Sequence, residues 1–105
     1  MSDSSPLVSI IIRTKNEERW VSSCLDAVFK QSYKNFEVII VDNESTDKTI
    51  DIVRKYPVKK ITNITDYLPG KALNYGIKNA KGKYLVCLSA HCIPIGTDWL
   101  ISLVK

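Results

Sequence analysis

Apolar positions along this chain follow two periods in turn, one fit for strands and one for helices. Val8 to Arg13 (VSIIIR) is a short, β-branched, nearly continuous apolar run, the pattern of a strand covered on both faces. From Glu17 to Lys30 the residues Trp20, Val21, Cys24, Leu25, Val28 and Phe29 recur at helical spacing. Asn16 is placed to cap that helix, and Glu17 and Glu18 suit its positive start. Phe36 to Val41 (FEVIIV) repeats the buried-strand pattern, and Ser45, Thr46 and Asp47 then open a helical stretch that turns Ile50 and Val53 toward the sheet until Pro57 stops it. A weaker strand is expected around Val58 to Ile61. After Pro69 and Gly70 a third helix carries Ala72, Leu73, Ile77 and Ala80 inward, and Gly82 ends it. Tyr84 to Leu88 (YLVCL) is the next strand, and Trp99 to Lys105 reads as an apolar helix cut short.

Strands alternating with helices at this spacing imply right-handed crossovers and a mostly parallel, Rossmann-like α/β sheet with flanking helices. Ligands of such sheets gather beyond the carboxyl ends of the strands, so chemistry is expected just after each one. The 105 residues suffice for one core, spanning residues 8–105 after a polar lead-in, residues 1–7, expected to be disordered. The apolar end at Trp99, Leu100, Ile101, Leu103 and Val104 is expected to leave hydrophobic surface that promotes self-association. The 15 Lys and Arg outnumber the 11 Asp and Glu but are scattered, which argues against a nucleic-acid footprint and suits a phosphate-bearing ligand. Cys24, Cys87 and Cys92 form no disulfide framework, which points to the cytosol. No apolar stretch reaches the roughly 18 to 20 residues of a membrane span.

The turn after the first strand, Arg13-Thr14-Lys15-Asn16-Glu17, lacks the glycines of a dinucleotide-binding loop, and no phosphate-binding P-loop occurs. NAD, FAD and P-loop chemistry are thereby disfavoured. The second strand is followed by Asp42 and Asn43, an acceptor carboxylate and an amide suited to reading a base or ribose edge, and equally suited to capping the next helix. The run Leu88-Ser89-Ala90-His91-Cys92 puts a histidine beside a small-residue turn at the same sheet edge. Cys87, His91 and Cys92 match no standard zinc spacing.

Three of these stretches together, Val8-Ser9-Ile10-Ile11-Ile12-Arg13-Thr14-Lys15-Asn16-Glu17, then Val41-Asp42-Asn43-Glu44-Ser45-Thr46-Asp47, then Gly70-Lys71-Ala72-Leu73-Asn74-Tyr75-Gly76, resemble family 2 glycosyltransferases of the GT-A fold. The likeness implies the nucleotide-sugar-binding half of such an enzyme, transferring sugar with inversion from a nucleoside-diphosphate sugar to a glycan or lipid-linked acceptor, in the cytoplasm or at the inner face of a membrane. It implies that Thr14 and Lys15 border the nucleoside, that Asp42 and Asn43 contact base and ribose, and that Lys71 and Asn74 lie near the nucleotide. Lys15 stands where the family often has Tyr, so an ammonium able to meet phosphate replaces a stacking ring. Ser89-Ala90-His91 stands where the family usually has Asp-x-Asp on a divalent ion, Mn2+ or Mg2+. A similar Asp-x-His occurs in mucin-type GalNAc-transferases, which makes His91 the candidate metal ligand, better suited to manganese than magnesium. No residue is a convincing catalytic base, because Asp98 reads as a first-turn helix acid. The rival readings are a non-catalytic nucleotide-sugar-binding or interaction module and a flavodoxin-like signalling domain, the latter disfavoured because acids are not clustered after the first strand.

Overall fold

In the computed structural model, residues 5–65, 74 and 76–104 are described. The β-branched runs form β1 (Val8–Thr14) and β2 (Phe36–Asp42), with the shorter β3 (Lys60–Asn63) and β4 (Tyr84–Ser89) outside them. All pair in parallel, in the order β3-β2-β1-β4. The two central strands are the most continuously apolar because each is covered on both faces.

Strand parity divides the core. Val8, Ile10 and Ile12 share one face with Val38 and Ile40, packed against α1 (Val21–Phe29), Val53 of α2 (Thr49–Val53) and Leu100 of α3 (Trp99–Val104). Ile11, Ile39 and Val41 point the other way, toward Ile64 and Ala80. Helical residues 76–79 cross close above that second face: a Cβ on Gly76 would lie 2.4 Å from Ile11 Cγ2. At Gly82 the close neighbour is backbone, since a Cβ there would lie 2.5 Å from the Ser9 nitrogen. The lead-in is tied down as far as it is described: Tyr33 Oη donates to the Pro6 carbonyl and Lys83 N–H to that of Leu7.

Several local expectations give way to tertiary contacts. The first helix begins at Val21 rather than Glu17, and Asn16 does not cap it, because its Oδ1 accepts the Thr46 and Asp47 N–H groups 2.7 and 3.3 Å away. Trp20 is not inward-facing; it is 41% exposed, with the Arg19 guanidinium over its ring. The helix after β2 starts at Thr49, not Ser45, and the weak strand runs Lys60–Asn63 rather than Val58 to Ile61. Ile77 is 42% exposed instead of buried, while Ala72, Leu73 and Lys71 lie outside the described residues. At the apolar end Leu100 is fully buried and Trp99, Ile101 and Val104 pack against the core, leaving Leu103 exposed.

Candidate functional site

In the order β3-β2-β1-β4 the chain builds outward from β1 on one side and then returns to place β4 on the other. The carboxyl ends of β1 and β4 therefore part at a topological switch point, the place where parallel sheets bind ligands. A cavity of about 270 Å3 opens there, lined by Arg13, Thr14, Lys15, Glu17, Asn43, Ser89 and His91. Four expected site residues, Thr14, Lys15, Asn43 and His91, thus meet in one place.

The floor is fixed by a buried polar network. Register sets Thr14 beside Asp42, and the Thr14 hydroxyl donates to Asp42 Oδ1 at 2.5 Å. Ser45 donates its hydroxyl to the same oxygen at 2.6 Å and its N–H to Oδ2 at 2.9 Å. Asp42 is only 3% exposed, so these bonds offset the desolvation of its charge. Asp42 does not cap α2, which starts seven residues later at Thr49; it joins the ends of β1 and β2. It lines a second cavity of about 360 Å3, with Glu44, Ser45, Ile50, Arg54, Ile61 and Asn63. Asn74 is exposed and lines neither cavity.

The loops carrying these residues brace each other. Asn16 and Glu44 adopt left-handed backbone with φ of 50° and 49°, conformations that cost a side-chain-bearing residue energy unless its surroundings hold it. Ser45 Oγ accepts the Asn16 N–H at 2.8 Å, and Asn63 Oδ1 accepts that of Glu44 at 3.0 Å. Asp47 accepts the Thr49 N–H and hydroxyl and the Glu18 N–H. Desolvation alone would raise the Asp47 carboxyl, but these bonds outweigh it and hold it below the usual carboxylate range.

On the β4 side, Arg13 faces Ser89 in register and donates from Nη2 to its Oγ at 2.9 Å. His91 Nδ1 lies 3.2 Å from Glu17 Oε2. A carboxylate at Nδ1 favours the tautomer protonated there, leaving Nε2 as the lone-pair nitrogen. Arg13, Glu17 and Ser45 are functional candidates that residue-by-residue reading passed over. Their only sequence signals are a charge ending an apolar run, an acid one residue past Asn16, and a hydroxyl three residues past Asp42.

Among the described residues no group of three His, Cys, Asp or Glu side chains is placed to hold a metal. The imidazole at the cavity is that of His91, held beside Glu17. Asp98 sits one residue before α3 rather than in its first turn: its carboxylate accepts the Ser32 hydroxyl at 3.3 Å and its backbone carbonyl the Ser102 N–H.

A parallel sheet with flanking helices and a polar cavity at its switch point defines a Rossmann-like α/β unit. The chain belongs to Glycosyl transferase family 2, whose description matches residues 9–105. It is 41% identical over 95 residues to a dolichyl N-acetyl-α-D-glucosaminyl phosphate 3-β-D-2,3-diacetamido-2,3-dideoxy-β-D-glucuronosyltransferase of Methanococcus voltae, covering 83% of this chain and 30% of that protein. It is 39% identical over 87 residues to a UDP-Glc:α-D-GlcNAc-diphosphoundecaprenol β-1,3-glucosyltransferase of Escherichia coli, covering 80% and 35%. Its fold superposes with TM-score 0.83 and 29% identity on S. aureus TarS in complex with UDP-GlcNAc, over 91% of this chain and 29% of that one. A Pyrobaculum calidifontis mannosyltransferase in complex with GDP-Man and Mn2+ superposes with TM-score 0.80 and 29% identity, over 94% and 30%. The chain spans about 30% of the length of the curated relatives it matches. No helix among its described residues is long and apolar enough to cross a membrane.

Proposed function

We propose that this chain forms the donor-nucleotide half of an inverting glycosyltransferase, which moves a sugar from a nucleoside diphosphate to a hydroxyl of a glycan or lipid-linked acceptor. The observation that carries this reading is the switch-point cavity uniting Thr14, Lys15, Asn43 and His91. In this reading the nucleoside lies across the ends of β1 and β2. Among the described residues Asp42 Oδ2 accepts one bond, from the Ser45 N–H, and its other lone pair would meet an N–H of the base, while Asn43 meets the ribose. Lys15 places an ammonium toward the diphosphate, and Lys71 and Asn74 are assigned to nucleotide binding on the family resemblance alone.

His91 would hold a divalent ion through Nε2, oriented by Glu17, and the ion when bound supplies positive charge against the leaving diphosphate. Mn2+ is the favoured ion, since imidazole suits it better than Mg2+. Attack by the acceptor needs a carboxylate base, and in this reading it is not Asp98, which does not line the switch-point cavity. Relatives named for dolichyl and undecaprenol-linked acceptors support a lipid-linked acceptor, and this reading puts the reaction at the inner face of a membrane.

The test is calorimetric titration with UDP-GlcNAc, UDP-Glc and GDP-Man, each with and without MnCl2. One of the three is expected to bind and to raise the melting temperature, with about 2.7 kcal/mol of stabilisation at a hundredfold excess over Kd. Failure of all three to bind in either condition contradicts the reading.

A further inference from the structure

The lysines are scattered in the sequence but gathered in the fold. In a parallel α/β unit each crossover returns the chain to the amino ends of the strands before the next strand begins. The turns at that edge carry Lys30 after α1, Lys34 before β2, Lys55 after α2, Lys59 before β3, and Lys81 and Lys83 before β4, all of them exposed. Hydrogen bonds join these turns into one surface. The Lys83 N–H donates to the Leu7 carbonyl, and the Val8 N–H to the Asn35 carbonyl beside Lys34. Glu37 accepts the Lys81 N–H and stands 3.9 Å from Lys59 Nζ, which draws the β3 and β4 turns together.

The charge of this edge is not balanced locally. Glu37 is the carboxylate at its centre, and its side chain is 8% exposed and also accepts the Ser9 hydroxyl. Asp26 and Asp98 flank the edge and accept the Tyr56 and Ser32 hydroxyls. Other acids, Glu17, Glu18, Glu44 and Asp47, lie at the opposite end of the sheet, in the loops after β1 and β2. The unit is therefore polarised, and an anionic surface attracts its amino edge first. That edge also has an apolar margin. Tyr84 and Leu85 are 41% and 44% exposed on opposite faces of the start of β4, with Lys83 Nζ 5.8 Å from the Tyr84 ring centroid. An aromatic ring with a polar tip, a leucine and surrounding ammonium groups suit the boundary between lipid headgroups and acyl chains.

We propose that the amino edge of the sheet, with Tyr84 and Leu85 at its margin, is a docking face for a lipid bilayer bearing anionic headgroups. The choice of a bilayer over other polyanions rests on the lipid-linked acceptor proposed above, and on Leu85, which gains from an acyl boundary and not from a phosphate backbone. Docking there leaves the switch-point cavity open to a soluble donor, because it lies about 20 Å away at the far ends of the strands.

The test is co-sedimentation of the chain with vesicles of phosphatidylcholine alone and of phosphatidylcholine with about 30% phosphatidylglycerol, with a vesicle-free blank. The wild type is expected to pellet with the anionic vesicles in about 0.05 M NaCl, to be released in about 0.5 M NaCl, and to ignore the neutral ones. K34Q/K83Q should weaken the partition about tenfold or more. R19Q/K48Q removes the same charge from the opposite end of the sheet and should weaken it by less than about threefold. Circular dichroism checks the fold of each variant, and if K34Q/K83Q does not fold, K55Q/K81Q decides on the same criterion. Failure to pellet with anionic vesicles at low salt overturns the docking face, as does an equal loss in the two kinds of variant. A DNA duplex bound at the same salt as tightly as the anionic vesicles overturns the assignment to a bilayer. None of these results touches the donor-site reading, which the nucleotide-sugar titrations decide separately.

Discussion

Asp42 is a buried carboxylate with an architectural role and, in the proposed reading, a part in recognition. Its bonds to Thr14 and Ser45 fix the relative height of two strand ends, and so the shape of the edge a base would meet. Thr14→Val keeps the shape of the side chain but removes the donor, and is expected to destabilise the fold by about 1–3 kcal/mol in urea titration. No change in midpoint would mean that Ser45 alone satisfies Asp42. His91 acts at the same scale with less structural cost, being largely exposed. His91→Ala should abolish any enhancement of nucleotide affinity by Mn2+, and Glu17→Ala should reduce it about ten- to one-hundredfold by releasing the imidazole. Enhancement that persists in full in His91→Ala would place the ion elsewhere.

Among the elements, α3 depends on a contact that residue type alone does not reveal. Gln31 is fully buried, with Nε2 donating to the Ala27 and Gly96 carbonyls and Oε1 accepting the Leu100 N–H. It clamps α3 and the loop before it to the end of α1. Gln31→Leu leaves those backbone groups without their partner and is expected to cost about 2–3 kcal/mol, read as a lowered melting temperature with faster hydrogen exchange at Leu100. Unaltered exchange there would show that α3 is held by Leu100 packing alone. Gly82→Ala should also destabilise, since the new methyl meets strand backbone at Ser9 rather than a yielding side chain. The strands β1 and β2 were legible in the sequence because burial on both faces writes continuous apolar runs, and β4 was legible from its apolar run although it is an edge strand with Tyr84 and Leu85 exposed. The candidate site was legible as far as topology reaches: Thr14 ends β1, and Lys15, Asn43 and His91 each follow a strand. The Arg13–Ser89 bond was not, because it joins residues 76 apart through a register that local pattern cannot specify. Asn16 misled for the same reason, its capping preference spent on a loop 30 residues away.

For the molecule as a whole, acid stability follows from two carboxyls held below their ordinary range. Burial would raise Glu37, but the Lys81 N–H and Ser9 hydroxyl bonds, with the Lys59 and Lys81 charges, outweigh it. Asp47 is lowered by its own bonds, chiefly from Thr49, against desolvation. A depressed folded-state pKa contributes stability above the unfolded value, so this contribution is intact above pH 4.5 and is lost as pH falls through 4.5 for Glu37 and 3.8 for Asp47 toward their folded values. Cys24 has the opposite dependence: burial, aided by Cys92 and Glu17, pushes its thiol up to about 11, so the fold weakens as pH rises from 9 toward that value. Glu37→Gln should flatten the acid limb of a stability-versus-pH curve, and an unchanged limb would assign it to other carboxyls.

The central claim is that the switch-point cavity receives the nucleotide, and amide chemical-shift mapping tests it most directly. On titration with UDP-GlcNAc and with GDP-Man in MnCl2, the ligand that binds should shift the amides of Thr14, Lys15, Asn43, Ser45, Ser89 and His91, with little change along α1. Shifts confined instead to the apolar groove of Ile93, Ile95, Trp99 and Leu103 would contradict the account.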